Sequence, residues 1–249
     1  MNNKSGDRIL IIIPCFNEQE SIIPLLKEIN LTCHYNYSTI VINDCSTDNT
    51  ARLAAQLSPV VTMLSNQGIG GAVHVGIKYA LENDFDFCVQ IDGDGQHPPS
   101  EITKLLKAYQ TNPKNITIGS RYLKNNTFRS TGARRLGSKI IARCLNFLFK
   151  SQSITDPTSG MRLMDRDAIN FFSKHYPHDF PEPISLALAI RYGLCIGEEP
   201  VEMRSRMFGF TSITGLKTIA YMIRVISYII LIRFVYSPFE KRSVNNAAY

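Results

Sequence analysis

Val89-Gln90-Ile91-Asp92-Gly93-Asp94-Gly95-Gln96-His97-Pro98-Pro99 decides how the rest of the chain is read. An apolar run from Phe85 to Ile91 ends abruptly in two carboxylates one residue apart. Alternate residues of an extended strand point the same way, so Asp92 and Asp94 can converge on one point. The interleaved glycines let a ligand approach the backbone closely, and Pro98-Pro99 stops the strand from continuing. Paired oxygen ligands at the carboxyl end of a strand suit a hard divalent cation that itself holds phosphate. A tight Asp-Gly turn between strands is the plainer interpretation of an isolated Asp-x-Asp, but other parts of this chain agree with the metal.

Upstream and downstream of that segment, short apolar runs alternate with amphipathic stretches. Residues 9–13, 39–42, 60–64, 85–91 and 116–118 are short, β-branched and bounded by turn residues, which predicts buried strands. Helices are predicted between them over 20–29, 50–57, 71–82 and 100–109, with Ser46 or Thr47 available to cap the second and Pro99-Ser100 opening the fourth. Such alternation predicts an α/β fold with a mainly parallel sheet flanked by helices, and ligands at the carboxyl ends of its strands. Each predicted strand runs into polar residues: Pro14-Cys15-Phe16-Asn17-Glu18, Asn43-Asp44-Cys45-Ser46-Thr47-Asp48, Asn66-Gln67-Gly68-Ile69-Gly70-Gly71, the Asp92/Asp94 pair, and Gly119-Ser120-Arg121. One such end is an ordinary turn; five on one rim make a site.

A chain of 249 residues can bury a full core. Its six cysteines show no Cys-x-x-Cys spacing and several lie in strand-like stretches, so they are expected to be reduced core residues of an intracellular protein, with no zinc site. The polar first residues predict no signal peptide. The net charge of +6 hides a division along the chain. Residues 1–120 hold eight Lys/Arg against twelve Asp/Glu, whereas 121–150 hold eight basic residues and no acidic one, and from Met203 onward seven face one. The second half is therefore expected to meet an anionic partner.

Residues 132–149 predict a helix with two faces. Leu136, Ile140, Cys144 and Leu148 would pack inward, while Arg135, Lys139 and Arg143 form a basic stripe beside Arg134 and Ser138. A loop is predicted at Thr155-Asp156-Pro157-Thr158-Ser159-Gly160, then a helix over 183–192 and a strand over 194–203. The span 216–235 has the length of a membrane-crossing helix. Arg224 near its middle would cost about 2.5–3.5 kcal/mol there. With Lys217, Tyr221, Arg224 and Tyr228 on one side and a broad apolar face opposite, it fits a helix lying in the membrane interface, or a structural helix of the domain.

Taken together these motifs resemble family 2 glycosyltransferases of the GT-A fold, most closely the branch containing dolichyl-phosphate mannose synthase and bacterial polyprenyl-phosphate sugar transferases. The carriers, from about Ile9 to about Ile213, are Ile13-Pro14-Cys15-Phe16-Asn17-Glu18, Asn43-Asp44-Cys45-Ser46-Thr47-Asp48-Asn49-Thr50, Asn66-Gln67-Gly68-Ile69-Gly70-Gly71-Ala72, Asp92-Gly93-Asp94-Gly95-Gln96-His97-Pro98-Pro99, Gly119-Ser120-Arg121-Tyr122 and Asp156-Pro157-Thr158-Ser159-Gly160-Met161-Arg162. The resemblance implies a nucleotide-sugar donor whose nucleoside meets Pro14, Glu18, Asp44 and the Gly71 segment, with Asp92 near ribose and sugar. Asp94 and Gln96 would hold Mg2+ or Mn2+ against the diphosphate, where a cation neutralises the departing charge. His97 would either approach the metal or cap the turn. In the lipid-phosphate branch the acceptor is already a nucleophilic anion, so it needs cationic clamps rather than a base: Arg121, Arg134 and Ser138 match the acceptor-phosphate pattern, and Arg206 the later arginine facing the donor diphosphate.

Two departures bear on the acceptor. The family's Arg-x-x-Gly-x-Ser-Lys reads Arg206-Met207-Phe208-Gly209-Phe210-Thr211-Ser212, without the lysine. Glu182, in Phe180-Pro181-Glu182-Pro183, stands where hydroxyl-directed relatives place a general base. The leading expectation is transfer to polyprenyl (dolichyl or undecaprenyl) phosphate by an enzyme that is cytoplasmic and peripheral on the inner membrane face. The alternative is a hydroxyl acceptor on a lipid-linked oligosaccharide or cell-surface polysaccharide precursor. A sugar nucleotidyltransferase is disfavoured, because no Gly-rich basic loop follows the first strand, and no nucleic-acid motif is present. The expected organisation is a GT-A domain over 1–213, its nucleotide-sugar half 1–120 and acceptor half 121–213. An amphipathic interface helix over 214–236 and a flexible tail over 237–249 follow. Whether a small membrane protein or further copies of the chain join it stays open.

Overall fold

Seven consecutive buried residues form β1 (Ile9–Cys15), and their side chains divide between the two faces of a sheet. Leu10 and Ile12 enter one apolar cluster while Ile9, Ile11 and Ile13 enter the other. A strand covered on both sides needs this continuous apolar run. The computed structural model describes residues 6–33, 35–123, 132–150, 153–204 and 216–235, with the backbone alone at 133–134 and 216–219. In chain order the elements are β1, α1 (Ile22–Thr32), β2 (Tyr37–Asn43), α2 (Thr50–Ala54), β3 (Val60–Thr62), α3 (Gly68–Glu82), β4 (Phe87–Gln90), a 3-10 turn, α4 (Ile102–Thr111) and β5 (Ile116–Ser120). Then come α5 (Gly132–Phe149), β6 (Arg162–Met164), α6 (Arg166–His175), α7 (Pro181–Tyr192), β7 (Ile196–Pro200) and α8 (Leu216–Phe234).

The seven strands lie in the order β3-β2-β1-β4-β6-β5-β7. All adjacent pairs are parallel except those made by β6, which runs antiparallel to both β4 and β5. Helices α1, α2 and α4 cover one face; α3, α5, α6, α7 and α8 build the other. Pro14 has no N–H to give to a ladder. It lies beyond the last β1–β4 pair, Ile12 with Gln90, and its carbonyl accepts from Gly93 N–H at 3.3 Å.

The reversal of β6 shapes the functional rim. Its first residue, Arg162, pairs with Gln90 and Ile118 near the carboxyl ends of β4 and β5. The loop before it, residues 155–161, is thereby delivered to the rim where the parallel strands finish. Sequence patterning predicts neither β6 nor α6, since β6 has only three residues. Helix α6 does carry a local start signal: the Asp165 carboxylate caps it by accepting from Ala168 N–H at 3.0 Å.

Helix α5 corrects the predicted inward face. Leu136 and Ile140 are exposed, Cys144 and Leu148 half-buried, and the packed side is Ser138, Ile141, Ala142 and Leu145. A strict i+4 series advances about 40° per step around a helix, so over three steps it swings away from a fixed neighbour. The i, i+3, i+4, i+7 set stays on one face. Helix α8 packs Val225, Ile229 and Ile232 inward and leaves Ile223, Arg224, Ile230, Leu231 and Phe234 exposed. Among the described residues no helix is long and apolar enough to cross a membrane. The expected tail over 237–249 lies outside the described residues.

Candidate functional site

The ends of β1, β2 and β4 surround a cavity of about 330 Å3 lined by Pro14, Cys15, Phe16, Glu18, Asp44, Ile69, Ala72, Asp92, Gly93 and Asp94. Five residues singled out from the sequence, Pro14, Glu18, Asp44, Asp92 and Asp94, thus meet at one hollow. Gly71 is buried in the first turn of α3 beside it. The turns that hold these side chains are cross-linked by polar groups. Asp44 Oδ1 accepts from Gln67 N–H at 2.7 Å, tying the end of β2 to the start of α3. Ser46 Oγ accepts from Asn17 N–H at 3.0 Å, and Asn17 Oδ1 accepts from Thr47 N–H at 2.9 Å. Asn17 and Cys45 both adopt positive φ, 56° and 61°, a conformation that persists only where surroundings enforce it. Glu18 is oriented by a 2.7 Å hydrogen bond from Ser21 Oγ to its Oε2.

The field in the hollow is negative. Burial pushes the Cys15 thiol well up, and the charges of Glu18, Asp92, Asp94 and Asp48 push it further. Asp94 is only 8% exposed, and its Oδ1 accepts from Gln96 N–H at 3.0 Å. Asp92 Oδ1 is enclosed without a hydrogen-bond partner, while Oδ2 stands 3.5 Å from Nε2 of His97. Burial raises the Asp92 carboxyl, but the bond and charge of His97, with Gln90 and Arg121, outweigh it and hold the group below its usual range. His97 is 1% exposed and turned toward Asp92, a contact the sequence reading did not include. A Cβ at Gly160 would lie 2.8 and 2.9 Å from the two Asp92 oxygens, so any larger residue there would displace the carboxylate or the loop.

These groups fit a hard cation. All are oxygen donors, one carboxylate oxygen is enclosed and orphaned, and the surrounding charge is negative. The Gln96 amide nitrogen donates to the Arg204 carbonyl at 3.2 Å, so a cation would meet its amide oxygen. Among the described residues no cluster of three His, Cys, Asp or Glu side chains makes a complete metal cage, so further oxygens would come from a bound ligand.

Of the residues expected to meet the acceptor, Arg121 is 8% exposed at the end of β5. No acidic residue lies near it in sequence within 121–150. Asp156, brought in by the loop before β6, takes one guanidinium edge in bidentate fashion: Nε to Oδ2 and Nη2 to Oδ1, each 2.7 Å. Arg121 Nη2 also donates to Thr158 Oγ1 at 2.8 Å, and that oxygen lies within hydrogen-bond distance of Ser138 Oγ, at 3.3 Å. Arg121 and Ser138 are therefore bridged. The side chain of Arg134, and all of Arg206, lie outside the described residues. Arg135, Lys139 and Arg143 form an exposed stripe on α5.

Sequence reasoning assigned no role to Arg162, which is 2% exposed and donates to the carbonyls of Ser159, Pro157 and Glu182 and to Ser185 Oγ. This guanidinium staples the loop before β6 to the start of α7, and so positions Glu182. Burial raises the Glu182 carboxyl above its ordinary range, against the pull of Arg162; Asp92 and Arg121 also act on it. Tyr221 of α8 meets the Phe180 ring at 4.9 Å between centroids, just before α7, and burial first and Glu182 second push its phenol up to about 12.

A model of glycosyl transferase family 2 matches residues 10–172. The chain belongs to glycosyl transferase family 2. This family 2 glycosyltransferase is similar to the UDP-N-acetylglucosamine–dolichyl-phosphate N-acetylglucosaminyltransferase of Methanococcus voltae, 28% identical over 214 residues, covering 78% of this chain and 84% of that protein. It is also similar to the polyprenol monophosphomannose synthase of Mycolicibacterium smegmatis, 29% identical over 222 residues, covering 84% and 82% respectively. Polyprenyl-phosphate sugar transferases thus stand among its relatives. The glucosyl-3-phosphoglycerate synthase of Mycobacterium tuberculosis, solved with Mn2+, UDP and glucosyl-3-phosphoglycerate, matches with a TM-score of 0.69 at 20% identity, over 92% of this chain and 81% of that one. The family 2 transferase accordingly has the GT-A fold.

Proposed function

We propose that this transferase moves a sugar from a nucleoside diphosphate donor to polyprenyl phosphate, with Mg2+ or Mn2+ at Asp94 and Gln96, on the cytoplasmic face of a membrane. The observation that carries this reading is the presence, on one rim, of a carboxylate-lined hollow and of a buried arginine, anchored by Asp156, whose charge acts on Asp92. Glu18 and Asp44 suit the hydroxyls and base edge of a nucleoside. Asp92, with one enclosed and unsatisfied oxygen, suits a sugar or ribose hydroxyl, since a buried acceptor left unpaired is costly. A divalent cation there would neutralise charge developing on the diphosphate.

Arg121, Ser138 and Thr158 would hold the acceptor phosphate. One of its oxygens forms the bond to the anomeric carbon. The bond from that carbon to the diphosphate oxygen breaks, and the nucleoside diphosphate leaves with the electron pair, so configuration inverts and no proton need move. The membrane side of the reading rests on α5 and α8. Exposed Leu136, Ile140, Phe147, Ile223, Ile230, Leu231 and Phe234 are interspersed with Arg135, Lys139, Arg143 and Arg224, a composition suited to an anionic lipid surface.

One observation favours a second reading. Glu182 is a carboxylate whose burial lifts its pKa beside the acceptor arginine, as a general base for a hydroxyl acceptor requires. Purified protein incubated with labelled nucleotide-sugars, Mg2+ or Mn2+ and vesicles containing polyprenyl phosphate separates the two. A lipid-soluble product that mild acid splits to free sugar is expected. Label that enters only lipid-linked oligosaccharide, in an acid-stable bond, would overturn the phosphate reading.

A further inference from the structure

We propose that Glu198 on β7 is a positioning residue for acceptor binding, acting through Asp156 on Arg121; this rests on the reading of Arg121 as the acceptor cation. The chain of contacts is continuous. Glu198 lies opposite Ile118 in the parallel β5–β7 pair. Its Oε1 accepts from the N–H groups of Thr155 and Asp156, at 2.9 and 2.8 Å, and its Oε2 accepts from the Thr155 hydroxyl at 2.7 Å. Three donors of a segment with no regular structure thus end on one carboxylate. Thr155 Oγ1 also meets Ser120 Oγ at 2.9 Å, directly before Arg121.

Asp156 is wholly buried, and its acceptor capacity is filled from nearby. It takes Arg121 N–H at 3.0 Å, Arg121 Nε and Nη2 at 2.7 Å each, and Thr158 Oγ1 at 3.2 Å. A guanidinium held by two parallel bonds along one edge has one orientation, and Arg121 Nη1 donates no hydrogen bond among the described residues. Among the described residues, Glu198 alone accepts from the backbone N–H groups of Thr155 and Asp156. If Glu198 is removed, the loop loses its register, Asp156 shifts, and the arginine is released from the geometry that meets a phosphate. Displacement by about 1 Å of a group that orients a substrate can lower a rate 10²-fold.

The test reads acceptor and donor parameters separately. Glu198→Ala is expected to raise KM for polyprenyl phosphate about 10- to 100-fold, as loss of a supporting contact behind a ligand-binding group does, with nucleotide binding retained. Glu198→Gln, which keeps an oxygen for the two N–H groups, is expected to restore most of the loss. The double variant Glu198→Ala with Arg121→Ala should bind acceptor no worse than Arg121→Ala alone, because the effect passes through that arginine. Should Glu198→Ala not fold, Glu198→Asp keeps the charge, shortens the arm and carries the same expectations. An unchanged acceptor KM in Glu198→Ala or Glu198→Asp, or additive losses in the double variant, would overturn the inference. If Arg121→Ala itself leaves acceptor KM unchanged, the acceptor reading of that arginine fails instead.

Discussion

Replacing Gly160 by alanine would test whether the placement of Asp92 governs the reaction. The new methyl group would lie 2.8 Å from Asp92 Oδ2 and 2.9 Å from Oδ1, well inside the roughly 3.5 Å at which non-bonded heavy atoms rest comfortably. Gly160 does not use the left-handed backbone region, so alanine meets no conformational strain and the contact is the whole effect. Asp92 has little room to yield, with Oδ2 facing His97 at 3.5 Å and Oδ1 enclosed. Relief requires the carboxylate to turn about 30° off its rotamer, at roughly 0.5–1.5 kcal/mol, or the loop before β6 to retreat by several tenths of an ångström. A loss near 1 kcal/mol lowers Tm by about 2–4 °C in a chain of this size. The larger consequence is kinetic: kcat/KM should fall about 10- to 100-fold as the carboxylate leaves its working position. Initial rates over donor concentration, with a thermal melt of the same sample, measure both. A lowered Tm with wild-type kcat/KM would refute the role of Asp92, and no change in either would refute the close contact.

Three further outcomes are expected. Asp94→Ala should abolish transfer with an unchanged melt, and excess chelator should do the same to the parent protein; activity surviving chelation would count against the cation. Glu182→Gln should leave transfer to polyprenyl phosphate within about threefold, whereas loss of a general base would cost about 10²-fold or more. Because the folded pKa of Glu182 is raised, its contribution to stability is complete below the unfolded value and is lost as pH rises through the folded one. Melts from about pH 5 to pH 8 should therefore show the Gln variant gaining on the parent toward the alkaline end, and parallel curves would refute the shift. Finally, Leu231→Asp with Phe234→Asp should weaken flotation with vesicles of anionic lipid while nucleotide binding stays intact, and undiminished flotation would remove α8 from the membrane contact.

Much of the carboxylate-lined hollow was legible because it depends on local rules. A strand that ends in Pro14-Cys15-Phe16-Asn17-Glu18 or in Asp92-Gly93-Asp94 exposes its polar residues at one end whatever its neighbours are, and strand–helix alternation puts those ends on one side. His97 was harder to read. Its sequence position allowed a metal ligand or a turn cap, and only packing, which buries it, turned the ring toward Asp92. On the acceptor side, the partner of Arg121 was invisible to any window of sequence, because Asp156 is 35 positions away. The face of α5 was misread for a related reason. Its apolar i+4 series looked inward-facing, yet neighbouring helices selected the set centred on Ile141 and Leu145.

The amino-acid order alone determined the α/β class, the mainly parallel sheet, and the carboxylate-rich ends of β1, β2 and β4, since each follows from side-chain periodicity and from turn residues a few positions apart. The tertiary structure decided that β6 runs backward between β4 and β5, that its leading loop carries Asp156 to Arg121, and that Arg162 and Glu198 anchor that loop from opposite sides. Those contacts join segments far apart in the chain. Their existence depends on which strand fills the gap in the sheet, a choice made by competition among whole packing arrangements.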